Sequence, residues 1–386
     1  MGASLRKKIR DLRSAQPYMS YTEARDIILT RDIENRADEV WNRDLWITPL
    51  GIMDVDTWNP EDTWVEGPIT SYTIPIGLRT GAAELINILN APKNPDAIYG
   101  ESSPETKRSN AREIARTLTE NLVSLDIGQM SWGGDGPHGM ITGATGEGKS
   151  NLLRNIVTGL AAYYSPWDIQ FLLIDCKGGW TFRKHAELPH TVGVFEEVEE
   201  SEELADTLYE MVSNEMSRRE EVLFSTRSKD VIDHNRKHVK EDRLPLVLIV
   251  LDEIHESIRI GGAEGSLSKL IQNVCRKGRS LGLHVLLGSQ IVTPDLTSAL
   301  NGAMGHMCYG ISLRSTSKGL SIVEGAENLP RGEHHALFHH GTDVDEFIGF
   351  DIYREHANGV SEMEALLDKL NAVSAVGVER GTEALR

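Results

Sequence analysis

The hydrophobic pattern changes character along the chain. From Ser4 to about Leu45 it is polar with a helical period, and in Tyr21–Leu29 the apolar Ala24, Ile27 and Ile28 fall on one face of an amphipathic helix. From Trp46 to Leu78 it breaks into short apolar runs punctuated by Pro and Gly. There Trp64-Val65 and Tyr72-Thr73-Ile74-Pro75-Ile76 read as strands. A charged helical stretch, Ser103 to Asn121, precedes another strand at Leu122–Ile127. From Gly139 onward strands and helices alternate. Ile169–Asp175, Leu246–Leu251 and Gly282–Gly288 are near-continuous apolar runs of strand length, separated by the helical segments Glu199–Phe224 and Ser266–Ser280. Strands without a polar face, spaced by helices, predict an α/β fold with a mainly parallel sheet covered on both sides. The acidic run Glu196–Glu203 reads as an exposed helix start, where carboxylates suit the helix dipole. A last amphipathic helix spans Val360–Val373.

The chemistry sits between one strand and one helix. Met140-Ile141-Thr142 leads into Gly143-Ala144-Thr145-Gly146-Glu147-Gly148-Lys149-Ser150, and the helical run Asn151–Val157 follows. Strand, glycine loop, helix is the order a phosphate-binding loop requires. Its glycines let backbone N–H groups curl around a polyphosphate, and the helix N-terminus adds favourable partial charge. In that arrangement Lys149 reaches the β- and γ-phosphates and the Ser150 hydroxyl holds Mg²⁺. The loop predicts a chain that binds ATP or GTP together with Mg²⁺; ATP and Mg²⁺ are the expected cofactors once the family resemblance is added.

Hydrolysis asks for more than a phosphate loop. The strand Leu246–Leu251 ends in Asp252-Glu253, carboxylates that leave the C-terminal edge of a parallel sheet beside the phosphates. Asp252 is the expected Mg²⁺ ligand, directly or through water, and Glu253 the general base that polarises the attacking water. Gln290, closing the third strand, is a candidate for the γ-phosphate or the lytic water. Arg279, in Arg276-Lys277-Gly278-Arg279-Ser280, is the first candidate for an arginine acting across a subunit boundary, and Arg314 the second.

Composition narrows the class without redirecting it. The 386 residues exceed the usual size of one core, and 40% hydrophobic with 25% charged residues describes a globular chain. No apolar run reaches the roughly 18 residues that span a bilayer, and the N-terminus lacks a signal-peptide core. The expectation is a cytoplasmic protein, without direct membrane insertion, held at a membrane only through a partner. The three cysteines lie far apart and form no C-x-x-C pair. The adjacent pairs His334-His335 and His339-His340 point to opposite faces of a strand, which does not suit chelation. A net charge of −18 argues against broad nucleic-acid coating but leaves room for a local basic path. Arg183-Lys184-His185 and Arg227-Ser228-Lys229 are basic candidates, the first as a substrate-facing loop or as a solvated turn.

Together these residues resemble the FtsK/SpoIIIE branch of the additional-strand P-loop ATPases, over roughly Ile74 to Phe350. The motifs are Gly136-Pro137-His138-Gly139, the phosphate loop, Leu173-Ile174-Asp175-Cys176-Lys177-Gly178-Gly179 and Leu188-Pro189-His190. After them come Val250-Leu251-Asp252-Glu253, Gly278-Arg279-Ser280-Leu281-Gly282-Leu283-His284 and Gly325-Ala326-Glu327-Asn328-Leu329-Pro330. Their wording is most similar to type VII secretion motors of the EccC/EssC kind, although the broader pattern serves double-stranded DNA translocases equally. The resemblance implies a RecA-like core, a hexameric ring with ATP sites at subunit interfaces, and a substrate in or near a central pore. On that basis the chain divides into an α+β accessory region at 1–73, an ATPase domain at 74–354 with an insertion at about 80–121, and a helical tail at 355–386.

Departures from the pattern bear on the cargo. Ile291 stands where the family has arginine after the glutamine, and Val292–Met307 contains no Lys or Arg. The insertion adds about forty residues where a short connection is usual. One module and no anchor suit a mobile-element or phage protein. The leading expectation is a homohexameric motor translocating double-stranded DNA. The alternative is a soluble type VII secretion-like ATPase acting on protein, recognising a short helical signal in an apolar pocket.

Overall fold

The computed structural model describes residues 5–16, 55–64, 69–82, 118–178, 181–198, 201–300, 302–332, 334–353 and 360–373, with single positions between 19 and 52. Its centre is one sheet. In chain order the strands are β1 (Thr73–Arg79), β2 (Leu122–Asp126), β3 (His138–Thr142), β4 (Ile169–Asp175), β5 (Thr191–Glu196), β6 (Leu246–Asp252), β7 (Leu283–Ser289), β8 (Tyr309–Leu313), β9 (His335–His340) and β10 (Asp343–Gly349). They lie side by side as β2-β1-β10-β9-β8-β3-β7-β6-β4-β5. The stretch from β8 to β5 is parallel, and the stretch from β9 to β2 runs antiparallel.

The longest helices are α1 (Leu5–Ala15), α2 (Lys149–Tyr163), α3 (Glu202–Ser225), α4 (Val231–Lys237), α5 (Ile254–Gly261), α6 (Ser266–Leu281), α7 (Pro294–Leu300) and α8 (Glu362–Asn371). Strands β4, β6 and β7 are buried along their whole length. This is why their sequences show no alternation: each has a helix layer on both faces. Phe171 and Leu173 enter the core under α2, while Leu172 and Ile174 enter the core under α3 and α6. Leu50, Trp58 and Tyr72 on one side of the expected ATPase segment, and Met363, Leu366 and Leu370 of α8 on the other, join the same α2 core.

Buried polar groups tie the layers. Glu215 and Arg219 of α3 are both fully buried and pair at 2.6 Å, and Arg219 Nη1 donates to the Leu281 carbonyl at 2.7 Å. That bond fixes the end of α6, where Gly282 takes φ +70° to turn the chain into β7. The three cysteines are free.

Some expectations change. Trp64 is not in a strand: Asn59 caps a short 3₁₀ turn at Pro60–Asp62, and Trp64 follows it. Its indole N–H donates to the Ala161 carbonyl at 2.9 Å, docking this segment on the end of α2. Val65 and most of the helical stretch 103–121 lie outside the described residues, although 118–121 are helical. Ala24 and Ile28 are buried together, with Leu12 and Met19 against them. The acidic run divides, with Glu196 ending β5 and Glu202 and Glu203 in the first turn of α3 behind the N-cap Ser201. No helix among the described residues is long and apolar enough to cross a membrane.

Candidate active site

The phosphate loop is built from both neighbouring strands. Gly143 N–H donates to the Ser289 carbonyl at the end of β7 (3.2 Å), and Ala144 N–H to the Arg314 carbonyl just beyond β8 (3.0 Å). A Cβ on Gly143 would lie 2.9 Å from Leu313 Cβ, so the strand crossing itself requires glycine there. Gly148 takes φ +102° and starts α2 as its N-cap, leaving the first-turn N–H groups without a side-chain cap. Glu147 is buried, accepts from Gly332 N–H at 2.9 Å and pairs with Arg314 Nη1 at 3.6 Å. The Ser315 N–H donates to Ala326 O, so the Gly325–Pro330 motif closes against this side of the loop.

Lys149 is buried and points at the carboxylates. Its Nζ is bonded to Asp252 Oδ1 and lies 3.0 Å from Glu253 Oε1. Burial works against its charged form, but Asp252 and Glu253 outweigh it and hold the lysine pKa above its ordinary value. Asp252 is wholly buried at the end of β6. Its Oδ1 also accepts from Glu253 N–H at 2.9 Å, and its Oδ2 accepts from Thr181 Oγ1 at 3.1 Å and Ser150 Oγ at 3.3 Å. Gly288 makes room for it, since a Cβ there would lie 2.5 Å from Asp252 Oδ1. Glu253 occupies the left-handed region at φ +55°, ψ +35°, a conformation costing a non-glycine residue about 1–2 kcal/mol. The turn swings its side chain back over the loop, where Gln290 Nε2 donates to Oε1 at 3.2 Å. Strain of this kind concentrates at functional sites.

Lys149, Ser150, Asp252, Glu253 and Gln290 are thus in mutual reach. The two arginines are not equivalent. Arg314 stands beside its own phosphate loop. Arg279 ends α6 at the opposite edge of the sheet, where its Nη2 meets Ser131 Oγ at 3.5 Å and its carbonyl accepts from Gln129 Nε2. The length of β7 separates it from this site, roughly 20 Å at about 3.3 Å per residue.

Other residues of the site lie in and after the Leu173–Gly179 motif and directly after Glu253. Asp175 pairs in register with Asp252 across β4 and β6. Its carboxylate accepts from the N–H groups of Lys177 (2.9 Å) and Thr181 (3.0 Å). Arg154 Nε donates to the Thr181 carbonyl at 2.6 Å, so Thr181 is held at three points with its hydroxyl on Asp252. The shared Asp at the ends of two neighbouring apolar strands was the available signal. His255 and Glu256, directly after the carboxylate pair, also enter the site. His255 Nδ1 lies 3.4 Å from Glu253 Oε2, and Glu256 bonds Lys177 Nζ at 2.7 Å. Burial keeps the His255 imidazole below its usual pKa, against the pull of Glu253 and Glu256.

The basic triplet does not present a free loop. Arg183 pairs with Glu196 at 3.7 Å, Lys184 with Glu364 of α8, and His185 is fully buried, its Nε2 2.9 Å from Thr158 Oγ1. Burial lowers the His185 pKa to about 3. His335 faces Glu346, and His340 lies between Asp135 and Asp345.

The donor set fits a magnesium nucleotide. A carboxylate and two hydroxyls converge on one point, and hard oxygen donors suit Mg²⁺, which takes few protein ligands and completes its shell with phosphate and water. Among the described residues no group of three or more His, Cys, Asp or Glu is arranged to hold a metal by itself. Loop, buried lysine and paired carboxylates at the edge of a parallel sheet are the parts of a nucleotide hydrolase. Residues 101–263 match the FtsK/SpoIIIE family model. Over that stretch the chain is similar to FtsK/SpoIIIE-family ATPases. It is 38% identical over 199 residues to the ESX secretion system protein EccC of Thermomonospora curvata, covering 50% of this chain and 15% of that protein. It is 34% identical over 237 residues to the ESX-4 secretion system protein EccC4 of Mycobacterium tuberculosis, covering 59% of this chain and 19% of that protein. The fold matches the cytoplasmic domain of the Thermomonospora curvata type VII secretion ATPase EccC at a TM-score of 0.70 and 27% identity, over 86% of this chain and 35% of that one. The chain therefore spans less than a fifth of the two curated relatives.

Proposed function

We propose that this ATPase is a type VII secretion-like module that spends ATP on a protein substrate. The carrying observation is the convergence of Lys149, Asp252, Glu253 and Gln290 in one buried site. Lys149 and the loop amides bind the triphosphate, while Ser150 and Asp252, steadied by Thr181, hold Mg²⁺. The metal, when bound, neutralises charge on the β- and γ-phosphate oxygens. Glu253 takes a proton from the attacking water, and Gln290 orients Glu253.

Protein cargo is favoured over duplex DNA by the relatives named for secretion and by the segment after β7. That segment has no Lys or Arg, and its apolar Leu296, Ala299 and Leu300 of α7 and Ala303 are buried in the α3–α6 core, while Thr297, Ser298 and His306 are exposed. A DNA-gripping loop needs cations for phosphate affinity. ATP turnover measured with linear duplexes of increasing length tests this. The protein reading expects no length-dependent stimulation, and strong stimulation would return the assignment to DNA translocation.

The placement of Arg279 favours self-assembly. It lies too far from its own phosphate loop to act there, and a head-to-tail ring of copies brings that edge to a neighbour's site. Mixing Arg279→Ala with Lys149→Ala subunits is expected to restore part of the turnover that each lacks. Absence of rescue assigns Arg279 to folding of the Gln129–Ser131 segment instead.

A further inference from the structure

We infer that His255 is a positioning residue for Glu253, orienting the base through the carboxylate oxygen that does not face water. This rests on the assignment of Glu253 as general base. The two oxygens of Glu253 are unequally served. Oε1 meets Lys149 Nζ at 3.0 Å and Gln290 Nε2 at 3.2 Å. Among the described residues Oε2 is buried without a hydrogen bond, and His255 Nδ1 stands 3.4 Å away, likewise buried and without a partner among them. Two orphaned groups facing each other across a short gap cost free energy unless they close it. Closing it needs a shift of a few tenths of an ångström, within the adjustment that active-site hydrogen bonds make on substrate binding.

The imidazole is held from its other side. His255 Nε2 lies 3.6 Å from Glu256 Oε1, and Glu256 is fixed by Lys177 Nζ at 2.7 Å. The N–H groups of Lys177 and Thr181 both donate to the Asp175 carboxylate, and the Thr181 hydroxyl holds Asp252. The series Lys177, Glu256, His255, Glu253 therefore joins the segment that steadies the magnesium carboxylate to the base that acts on water. A triphosphate that engages Lys149 withdraws its charge from Oε1. Glu253 is then held by Gln290 and His255 alone, with Oε1 turned toward the γ-phosphate.

The helix around His255 is short and the base sits in a strained turn, so the contact supplies what the backbone alone does not. Position 255 follows from the same turn: α5 begins at Ile254, which is buried, so the next side chain emerges on the site face.

The test is ATP turnover by the full chain with His255→Ala, His255→Asn, Glu253→Gln and the double variant His255→Ala/Glu253→Gln. His255→Ala is expected to lower kcat roughly tenfold to a hundredfold, the usual effect of removing an orienting partner, with KM for ATP nearly unchanged. His255→Asn, whose amide nitrogen overlies Nδ1, is expected to recover most of it. In the double variant, His255→Ala is expected to slow Glu253→Gln no further, because a residue acting only through Glu253 has nothing left to orient. A wild-type kcat in His255→Ala overturns the proposal, as does a loss that Asn does not recover or that persists in full on the Glu253→Gln background. Retained turnover in Glu253→Gln alone instead removes the base assignment on which the proposal stands.

Discussion

Replacing Thr181 with valine removes one hydroxyl and keeps the branched shape, so it isolates the hold on Asp252. Among the described residues four donors reach that carboxylate: Lys149 Nζ and Glu253 N–H on Oδ1, Thr181 Oγ1 and Ser150 Oγ on Oδ2. If Ser150 serves Mg²⁺ as proposed, Thr181 is the remaining side-chain donor to Oδ2 among the described residues. A hydrogen bond to a charged, buried group is worth about 1.5–3 kcal/mol net. At about 1.4 kcal/mol per factor of ten, its loss raises the Mg²⁺ concentration for half-maximal turnover roughly tenfold to a hundredfold. The assay is ATP turnover at fixed ATP as Mg²⁺ is titrated, with Thr181→Ser as the control that restores the hydroxyl. Saturating Mg²⁺ recovers much of the rate if the hydroxyl serves to orient Asp252. An unchanged Mg²⁺ midpoint in Thr181→Val, beside active Thr181→Ser, refutes the reasoning.

Gly288→Ala places a methyl 2.5 Å from Asp252 Oδ1 and 3.1 Å from Leu153 Cδ1, in a carboxylate that cannot yield without leaving Lys149. Its overpacking cost of about 1–3 kcal/mol should appear in denaturant unfolding, together with loss of turnover; a wild-type rate counts against the tight fit at Asp252. Acid should destabilise the fold through four buried histidines. Burial depresses His138 and His190 to about 4, His185 to about 3 and His284 well below its usual value, so the unfolded chain binds protons that the native chain refuses. Stability is then full above the unfolded value near 6.5 and falls as pH drops, by about 1.4 kcal/mol per pH unit for each histidine. Asp168, raised by burial to about 6, and Asp135, also raised by burial, hold their protons in the fold and oppose this below about pH 6, two groups against four. Unfolding free energy that is flat between pH 7 and 5 would contradict these burials.

The parallel half of the sheet was legible in sequence because β4, β6 and β7 are sandwiched between helices and carry no polar face. The antiparallel half was legible only at β1 and β2, read from Tyr72–Ile76 and Leu122–Ile127. Strands β9 and β10, His335–His340 and Asp343–Gly349, are only partly buried and rich in His and Asp, so their pattern resembles a surface turn. Their place is set by pairing to β8 and β1, which no local period records. Trp64 shows the converse, an aromatic run that reads as strand but is claimed by the end of α2 through one indole hydrogen bond. In the site, Lys149, Ser150, Asp252 and Glu253 were legible because their chemistry follows a fixed spacing. Thr181 was hidden because it acts from a separate loop, brought to Asp252 by the in-register pairing of β4 with β6. The same pairing logic separated the two arginines: Arg279 and Arg314 look alike in sequence, yet they occupy opposite edges of the sheet.

The account turns on Glu253 as the residue that makes this loop a hydrolase. The most direct measurement is the nucleotide retained by Glu253→Gln after incubation with ATP and Mg²⁺, read by separating bound ATP from bound ADP. The account predicts bound, unhydrolysed ATP and turnover lower by roughly a hundredfold or more, the scale of a lost general base. Bound ADP at the wild-type rate would contradict it.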